Sequence, residues 1–136
     1  NWSTICLPDV KYPSAIWHET AHTYTYALGD EFLKKWGKAA DFVYKGKEYP
    51  HEKEAFEKKI RFGILSAYGT SDAKEDIAEW VEEIYKFFYP GMGSVFVNAD
   101  KKIDKTDPRF LQKFELLYKN NFFNEEMYKK IKPLLQ

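Results

Sequence analysis

The sequence predicts a mostly α-helical fold in a single domain that covers residues 1–136. Two observations support this prediction. Apolar residues recur at helical spacing along most of the chain, with proline, glycine, aspartate or asparagine near the ends of the periodic segments. Only "SVFVN", residues 94–98, has the composition of a short β-strand. With 136 residues, 44% of them hydrophobic, the chain is long enough to bury one core.

The first two helices are predicted on either side of a glycine. Residues 13–28 form the first, because proline suits the first turn of a helix and most of the circumference that follows is apolar. Gly29 and Asp30 mark its end and a new N-cap. The second helix, "EFLKKWGKAADFVY", is predicted for residues 31–44, although Gly37 weakens it.

Helical spacing continues in the middle of the chain. Residues 51–67 carry apolar side chains three or four positions apart, at Phe56, Ile60, Ile64 and Ala67. The next helix is predicted to begin at a cap formed by Ser71 or Asp72, and Pro90 and Gly91 close it.

The last third of the chain adds a turn and two helices. "NADKKID", residues 98–104, has carboxylates like those of a calcium loop but lacks the central glycine and the terminal glutamate, so we interpret it as a turn. Asp107 and Pro108 open a further helix. Asn124 caps a short final one.

Composition excludes several classes of function. The 21 basic and 21 acidic residues cancel, and Arg61 and Arg109 are the only arginines, which argues against nucleic-acid binding. Cys6 is the single cysteine, so neither an internal disulfide nor a cysteine-rich zinc finger is expected. No apolar run reaches the length of a membrane span. Because the first residue is Asn1, we expect a processed or excised piece, such as the C-terminal part of a longer protein.

The stretch "AIWHETAHTYTYAL", residues 15–28, carries the main functional signal. His18 and His22 lie four positions apart and therefore share a helix face, so both imidazoles can reach one metal ion. Glu19 directly follows the first histidine, where it can reach a water on that metal. This HExxH pattern is typical of zinc peptidases. The alternative is that the two histidines are half-buried helix residues with polar partners.

A catalytic zinc ion needs a third protein ligand. The metzincin pattern HExxHxxGxxH is excluded, because Thr25 and Leu28 stand where it requires glycine and histidine. His51 lies in a charged stretch and is better explained as a solvated surface residue. A carboxylate on a later helix is the better candidate.

The stretch "SAYGTSDAKEDIAEW", residues 66–80, supplies such a carboxylate. Together with HETAH it resembles the gluzincin metallopeptidases, in which HExxH is completed by a glutamate on a later helix with an acidic residue four positions on. Glu75 and Glu79 match this pattern. The nearer resemblance is to the anthrax lethal factor and Pro-Pro endopeptidase group, in which a tyrosine stands seven residues before the ligand glutamate. Tyr68 matches that spacing.

The resemblance implies a role for each residue. His18, His22 and Glu75 would bind one Zn²⁺ per chain. Glu19 would act as the base, and Tyr68 as a hydrogen-bond donor in the transition state.

Glu79 would be the carboxylate that holds the ring of His18. Because Glu75, Glu79 and Glu82 share one helix face, the last two remain alternative ligands. In members of the group a β-containing lobe precedes the HExxH helix, whereas only residues 1–12 stand there in this chain.

The sequence therefore predicts a zincin-like helical domain that hydrolyses peptide bonds in a peptide or protein substrate. The resemblance favours a secreted or extracytoplasmic protein, with an additional N-terminal domain as a further partner. Two alternatives remain. One is a non-catalytic helical binding domain stapled by zinc, and the other is the catalytic fragment of a toxin or effector whose specificity comes from another domain.

Overall fold

The computed structural model describes residues 13–46, 56, 60–89 and 91–136. This part of the chain is mostly helical, as predicted, and contains no β-strand. Its five α-helices are α1 (Pro13–Ala40), α2 (Ala73–Phe87), α3 (Ala99–Lys102), α4 (Arg109–Lys119) and α5 (Glu125–Ile131). Three 3₁₀ helices span Tyr68–Thr70, Val95–Asn98 and Lys132–Leu135, and Phe56 is also helical. No described helix is long and apolar enough to cross a membrane.

Helix α1 bends where the sequence predicts the first helix to end. Gly29 has φ 77° and ψ −167°, a conformation that glycine adopts without the steric cost of a side chain. The helix continues beyond this kink and ends at Ala40, four residues earlier than the predicted Tyr44. The difference arises at Asp41, whose φ of 42° is left-handed and cannot continue a right-handed helix.

The predicted helix over residues 51–67 is wrong for residues 60–67, whereas Phe56, the one described residue before them, is helical. Ile60 instead forms an isolated parallel bridge with Ile103, in which its backbone N–H donates to the Lys102 carbonyl at 2.7 Å. Phe62 and Gly63 follow with φ values of 64° and 75°, which exclude a helix. The predicted start of this helix lies outside the described residues.

The segments 94–98 and 98–104 also differ from the prediction. Val95–Asn98 is a 3₁₀ helix rather than a strand, because the Ser94 hydroxyl accepts from the Phe96 N–H at its start. The Val95 N–H donates to Glu83 of α2 at 2.9 Å, where a strand would need a neighbouring strand. The predicted turn is the short helix α3 followed by the bridge at Ile103.

The caps of α2 and α5 agree with the sequence prediction. Asp72 accepts a hydrogen bond from the Glu75 N–H at 2.9 Å, and Asn124 accepts from the Met127 N–H at the same distance. Helix α4 begins directly after Pro108, and the Asp107 carboxylate accepts from the Arg109 N–H.

One hydrophobic core joins these elements, with α1 packed along α2. Its largest fully buried side chains are Trp36, Trp80, Phe56, Phe96, Phe110 and Phe114. Helix α2 is amphipathic, because Ile77, Trp80, Val81 and Ile84 face this core. The opposite side of its first turns is left free to present carboxylates.

Candidate metal centre

The predicted metal ligands come from two helices that pack against each other. His18 and His22 lie one turn apart on α1 before the Gly29 kink. Glu75 lies in the first turn of α2, where the Asp72 cap fixes its backbone N–H. The fold therefore brings residues 57 positions apart into direct contact.

Three donor groups converge at this contact. The Nε2 atom of His18 is 3.1 Å from one carboxylate oxygen of Glu75, and the Nε2 atom of His22 is 2.8 Å from the other. The two ring nitrogens are 3.2 Å from each other. Ligand atoms that surround a tetrahedral zinc ion at about 2.0–2.1 Å lie roughly 3.3 Å apart. The spacing of the three groups is therefore close to that of a zinc site.

The far side of the His18 ring faces two more carboxylates. Its Nδ1 atom is 3.2 Å from a Glu79 oxygen and 3.3 Å from a Glu82 oxygen. Hydrogen bonds to these two carboxylates raise the pKa of the His18 imidazole from 6.5 to about 10, although burial acts in the opposite direction. The other oxygen of Glu79 accepts from the Ser66 hydroxyl at 2.7 Å.

These contacts create a second group of donors that could hold a cation. His18, Glu79 and Glu82 offer atoms that lie within 4.8 Å of one another, as do His18, His22 and Glu75. Helical geometry alone predicts the shared face of the three glutamates, but no sequence signal indicates the hydrogen bond from Ser66. His51, the weaker candidate ligand, lies outside the described residues.

The electrostatic character of the cluster favours a cation. Glu75, Glu79 and Glu82 surround His18, so three carboxylates face two imidazoles. The side chains of His18, His22 and Glu75 are 14%, 27% and 16% exposed, which leaves the centre accessible to solvent. Two imidazoles and a carboxylate form a ligand set found in catalytic zinc sites.

Tyr68 lies beside this centre. Its ring stacks against that of His18, with centroids 6.1 Å apart and planes inclined by 25°. The 3₁₀ helix Tyr68–Thr70 holds the backbone, and the Ser71 hydroxyl donates to the Tyr68 carbonyl at 2.7 Å. The side chain is 41% exposed, so a substrate can reach it.

Glu19 is the predicted site residue that the structure does not join to the cluster. It follows His18 on α1, and its side chain is exposed. Its backbone carbonyl accepts from the Thr23 hydroxyl, but its carboxylate has no hydrogen-bond or ion-pair partner among the described residues. Its side chain therefore retains the freedom to turn towards a bound substrate.

A cleft opens beside His22. Its volume is about 420 Å³. The lining residues are His22, Thr25, Tyr26, Gly29, Asp30, Leu33 and Lys74. The candidate centre thus borders a space that could accept part of a peptide.

Comparison with known proteins identifies no relative, since no family model, curated protein or solved structure matches this chain. The site must therefore be interpreted from its own residues.

Proposed function

We propose that this chain is a zinc-dependent endopeptidase of the gluzincin type. The convergence of His18, His22 and Glu75, with separations of 2.8–3.2 Å between their donor atoms, is the observation that carries the proposal. The resemblance of HETAH and the Glu75/Glu79 pair to the anthrax lethal factor and Pro-Pro endopeptidase group supports it.

The residues present fit a zinc ion. His18, His22 and Glu75 would hold it, and Glu79 would fix the orientation of the His18 ring through Nδ1. When bound in such a site, zinc polarises a peptide carbonyl and lowers the pKa of water towards 7.

Two residues of the chain would handle protons and charge. Glu19 would accept a proton from the attacking water and pass it to the leaving amine, as a general base and then a general acid. Tyr68 would donate a hydrogen bond to the oxyanion as negative charge develops on the substrate. The stacking of Tyr68 on His18 supports this role, because it places the tyrosine next to the proposed ligands.

The second candidate is a non-catalytic binding domain in which zinc has only a structural role and links α1 to α2. The position of Glu19 favours this alternative, since its carboxylate does not contact the cluster. A structural zinc site needs no base, so a Glu19 carboxylate that lies apart from the cluster is consistent with such a site.

Replacement of Glu19 by glutamine separates the two candidates. Because Glu19 is exposed, the variant should keep its zinc content and melting temperature. If the chain is a peptidase, cleavage of a diverse peptide library should fall by about 10² to 10⁴, the usual contribution of acid–base catalysis. The turnover of Tyr68→Phe should be lower by about 10², and this variant should also keep its zinc.

Glu31→Gln is the matched control, because Glu31 is a glutamate of the same helix that is 84% exposed and, among the described residues, pairs only with Lys35. It should retain wild-type cleavage. New termini in the library are identified by mass spectrometry, and zinc is measured by elemental analysis. Equal cleavage by wild type and Glu19→Gln would refute the mechanism, and a wild-type chain that binds no zinc would refute both candidates.

A further inference from the structure

The residue that follows the proposed ligand Glu75 lies on a different side of α2. Consecutive side chains on a helix are about 100° apart, so Glu75 can face the histidines while Asp76 faces the core. Asp76 is fully buried, with 0% of its surface exposed. A carboxylate at such a position is costly unless donors satisfy it.

Three donors from separate parts of the chain converge on one oxygen of Asp76. Its Oδ2 atom accepts from Trp36 of α1 at 3.2 Å, from the Tyr44 hydroxyl at 2.7 Å and from Lys113 of α4 at 2.6 Å. Burial raises the pKa of Asp76 and lowers that of Lys113, whereas the three donors favour the ionised carboxylate. We interpret the pair as ionised, because three donors on one oxygen need a negative acceptor.

Asp76 also packs against the turn that carries Tyr68. A Cβ atom placed on Gly69 would lie 3.5 Å from both Cα and Oδ1 of Asp76, so this residue lies directly beside the turn, with room for about one methyl group between them. Oδ1 is buried and has no hydrogen-bond partner among the described residues. The contact with Gly69 is therefore one of close packing.

Tyr44 links Asp76 to the same turn by a second route. Its hydroxyl bonds to Asp76, and the backbone directly after it pairs with the end of the turn. The Lys45 N–H donates to the Thr70 carbonyl at 2.7 Å, and the Gly46 N–H donates to the Ser71 carbonyl at 2.9 Å. Movement of Tyr44 would thus move the turn.

We propose that Asp76 is a positioning residue of the candidate metal centre, which fixes the Tyr68 turn against the first turn of α2 and so sets the relation between Tyr68, Glu75 and His18. This inference rests on the proposed function. Asp76 is fully buried and is not one of the proposed ligands, so it would act through Glu75, its neighbour on α2, and through Gly69, the neighbour of Tyr68.

The test uses variants that weaken the network in steps. Asp76→Asn removes the charge, and Tyr44→Phe removes only one hydroxyl from a half-buried side chain. Ile131→Ala is the matched control, because Ile131 is fully buried in α5 and its loss lowers stability without touching this network. Melting temperature is measured for each variant, so that metal binding is compared only where the chain is folded.

Two readouts report on position rather than on stability. The first is Co²⁺ titration, in which the visible absorption spectrum reports the ligand geometry. The second is the nuclear Overhauser effect between the Tyr68 and His18 rings in the metal-free chain, whose centroids are 6.1 Å apart.

We expect Asp76→Asn to bind Co²⁺ about 10- to 100-fold more weakly, which is the usual effect of losing a residue that supports metal ligands. Tyr44→Phe should weaken binding by a smaller factor and reduce the Tyr68–His18 signal. Ile131→Ala should keep the wild-type Co²⁺ affinity, spectrum and signal.

If Asp76→Asn and Tyr44→Phe fold and match Ile131→Ala in Co²⁺ affinity, Co²⁺ spectrum and Tyr68–His18 signal, Asp76 is only a stability residue and the inference is overturned. A wild-type chain that does not bind Co²⁺ would instead contradict the proposed function. In that case the Tyr68–His18 signal alone decides whether Asp76 positions the turn.

Discussion

Two consecutive residues, Glu75 and Asp76, lie in opposite environments on the same turn of α2. Asp76 is completely buried, and Lys113, Tyr44 and Trp36 satisfy its charge within the protein. Glu75 is partly exposed and meets two imidazoles, close to two further carboxylates.

In the buried network Lys113 balances the charge of Asp76. The surface cluster instead holds three carboxylates beside two histidines, which is more negative charge than the histidines offset. A cation would balance that excess. The structural cluster therefore differs from the candidate site mainly in that its charges balance within the protein.

The largest effect should come from breaking the buried cluster. Lys113→Met keeps most of the stem but removes the ammonium group, which leaves the Asp76 carboxylate buried without its cationic partner. Removing one partner of a buried ion pair typically costs about 3–5 kcal/mol of unfolding free energy. Urea denaturation of the metal-free chain measures this loss. Zinc content is then determined on the fraction that remains folded.

The matched change in the surface cluster is His22→Ala, which should affect zinc binding rather than stability. The free energy of unfolding of the metal-free chain should change by less than about 1 kcal/mol, because His22 is 27% exposed and its pairing with Glu75 is screened by solvent. Zinc should be lost. If His22→Ala is the more destabilising variant of the two, the distinction between the clusters is wrong.

A second prediction concerns the two carboxylates behind His18. Glu79→Gln should weaken zinc binding about 10- to 100-fold, since a carboxylate that orients a histidine ligand has effects of this size. Glu82→Gln should have a smaller effect, because the Ser66 hydroxyl also holds Glu79, whereas among the described residues Glu82 bonds only to His18. Affinity is measured by competition with a chelator.

Glu125→Gln, an exposed change in α5, serves as the control for the loss of one negative charge. Complete loss of zinc from a folded Glu82→Gln variant would make Glu82 a ligand, in place of the role assigned to Glu75.

The sequence contains enough information to predict which side chains meet in the surface cluster, because two short stretches contain them. The spacing of His18 and His22 defines one helix face, and Glu75, Glu79 and Glu82 define another. The predicted cap at Ser71 or Asp72 fixes the start of α2 to within one residue. The turn that carries Glu75 could therefore be located from the sequence.

Other features depend on contacts between distant residues. Ile60 follows helical spacing in the sequence, yet its bridge to Ile103 determines its conformation. The valines of residues 94–98 favour a strand, but bonds to Glu83 hold them in a 3₁₀ helix. The pairing of Asp76 with Lys113, 37 positions later, has no local pattern at all. Local sequence predicts helices and their faces, whereas these contacts depend on tertiary packing.

The smallest effect we expect is on the pH dependence of stability in the metal-free chain. The pKa of His18 rises from 6.5 to about 10, first because of its hydrogen bond with Glu79 and then because of that with Glu82. A raised pKa means that the folded state binds the proton more tightly than the unfolded state. The resulting stabilisation is complete below pH 6.5 and is lost as the pH rises through about 10.

Comparison of wild type with His18→Gln isolates this contribution from the other groups that titrate in the same range. The difference in unfolding free energy, measured with urea, should be largest at pH 6 and should shrink steadily towards pH 10. Solvent near the partly exposed cluster screens the interaction, so the change should remain modest. Zinc binding should show the opposite pH dependence. The His18 nitrogen must lose its proton to bind the metal, so zinc affinity should increase with pH over the same range. If the difference in unfolding free energy does not vary with pH, Glu79 and Glu82 do not hold a proton on His18. There would then be no reason to propose that Glu79 orients the His18 ring.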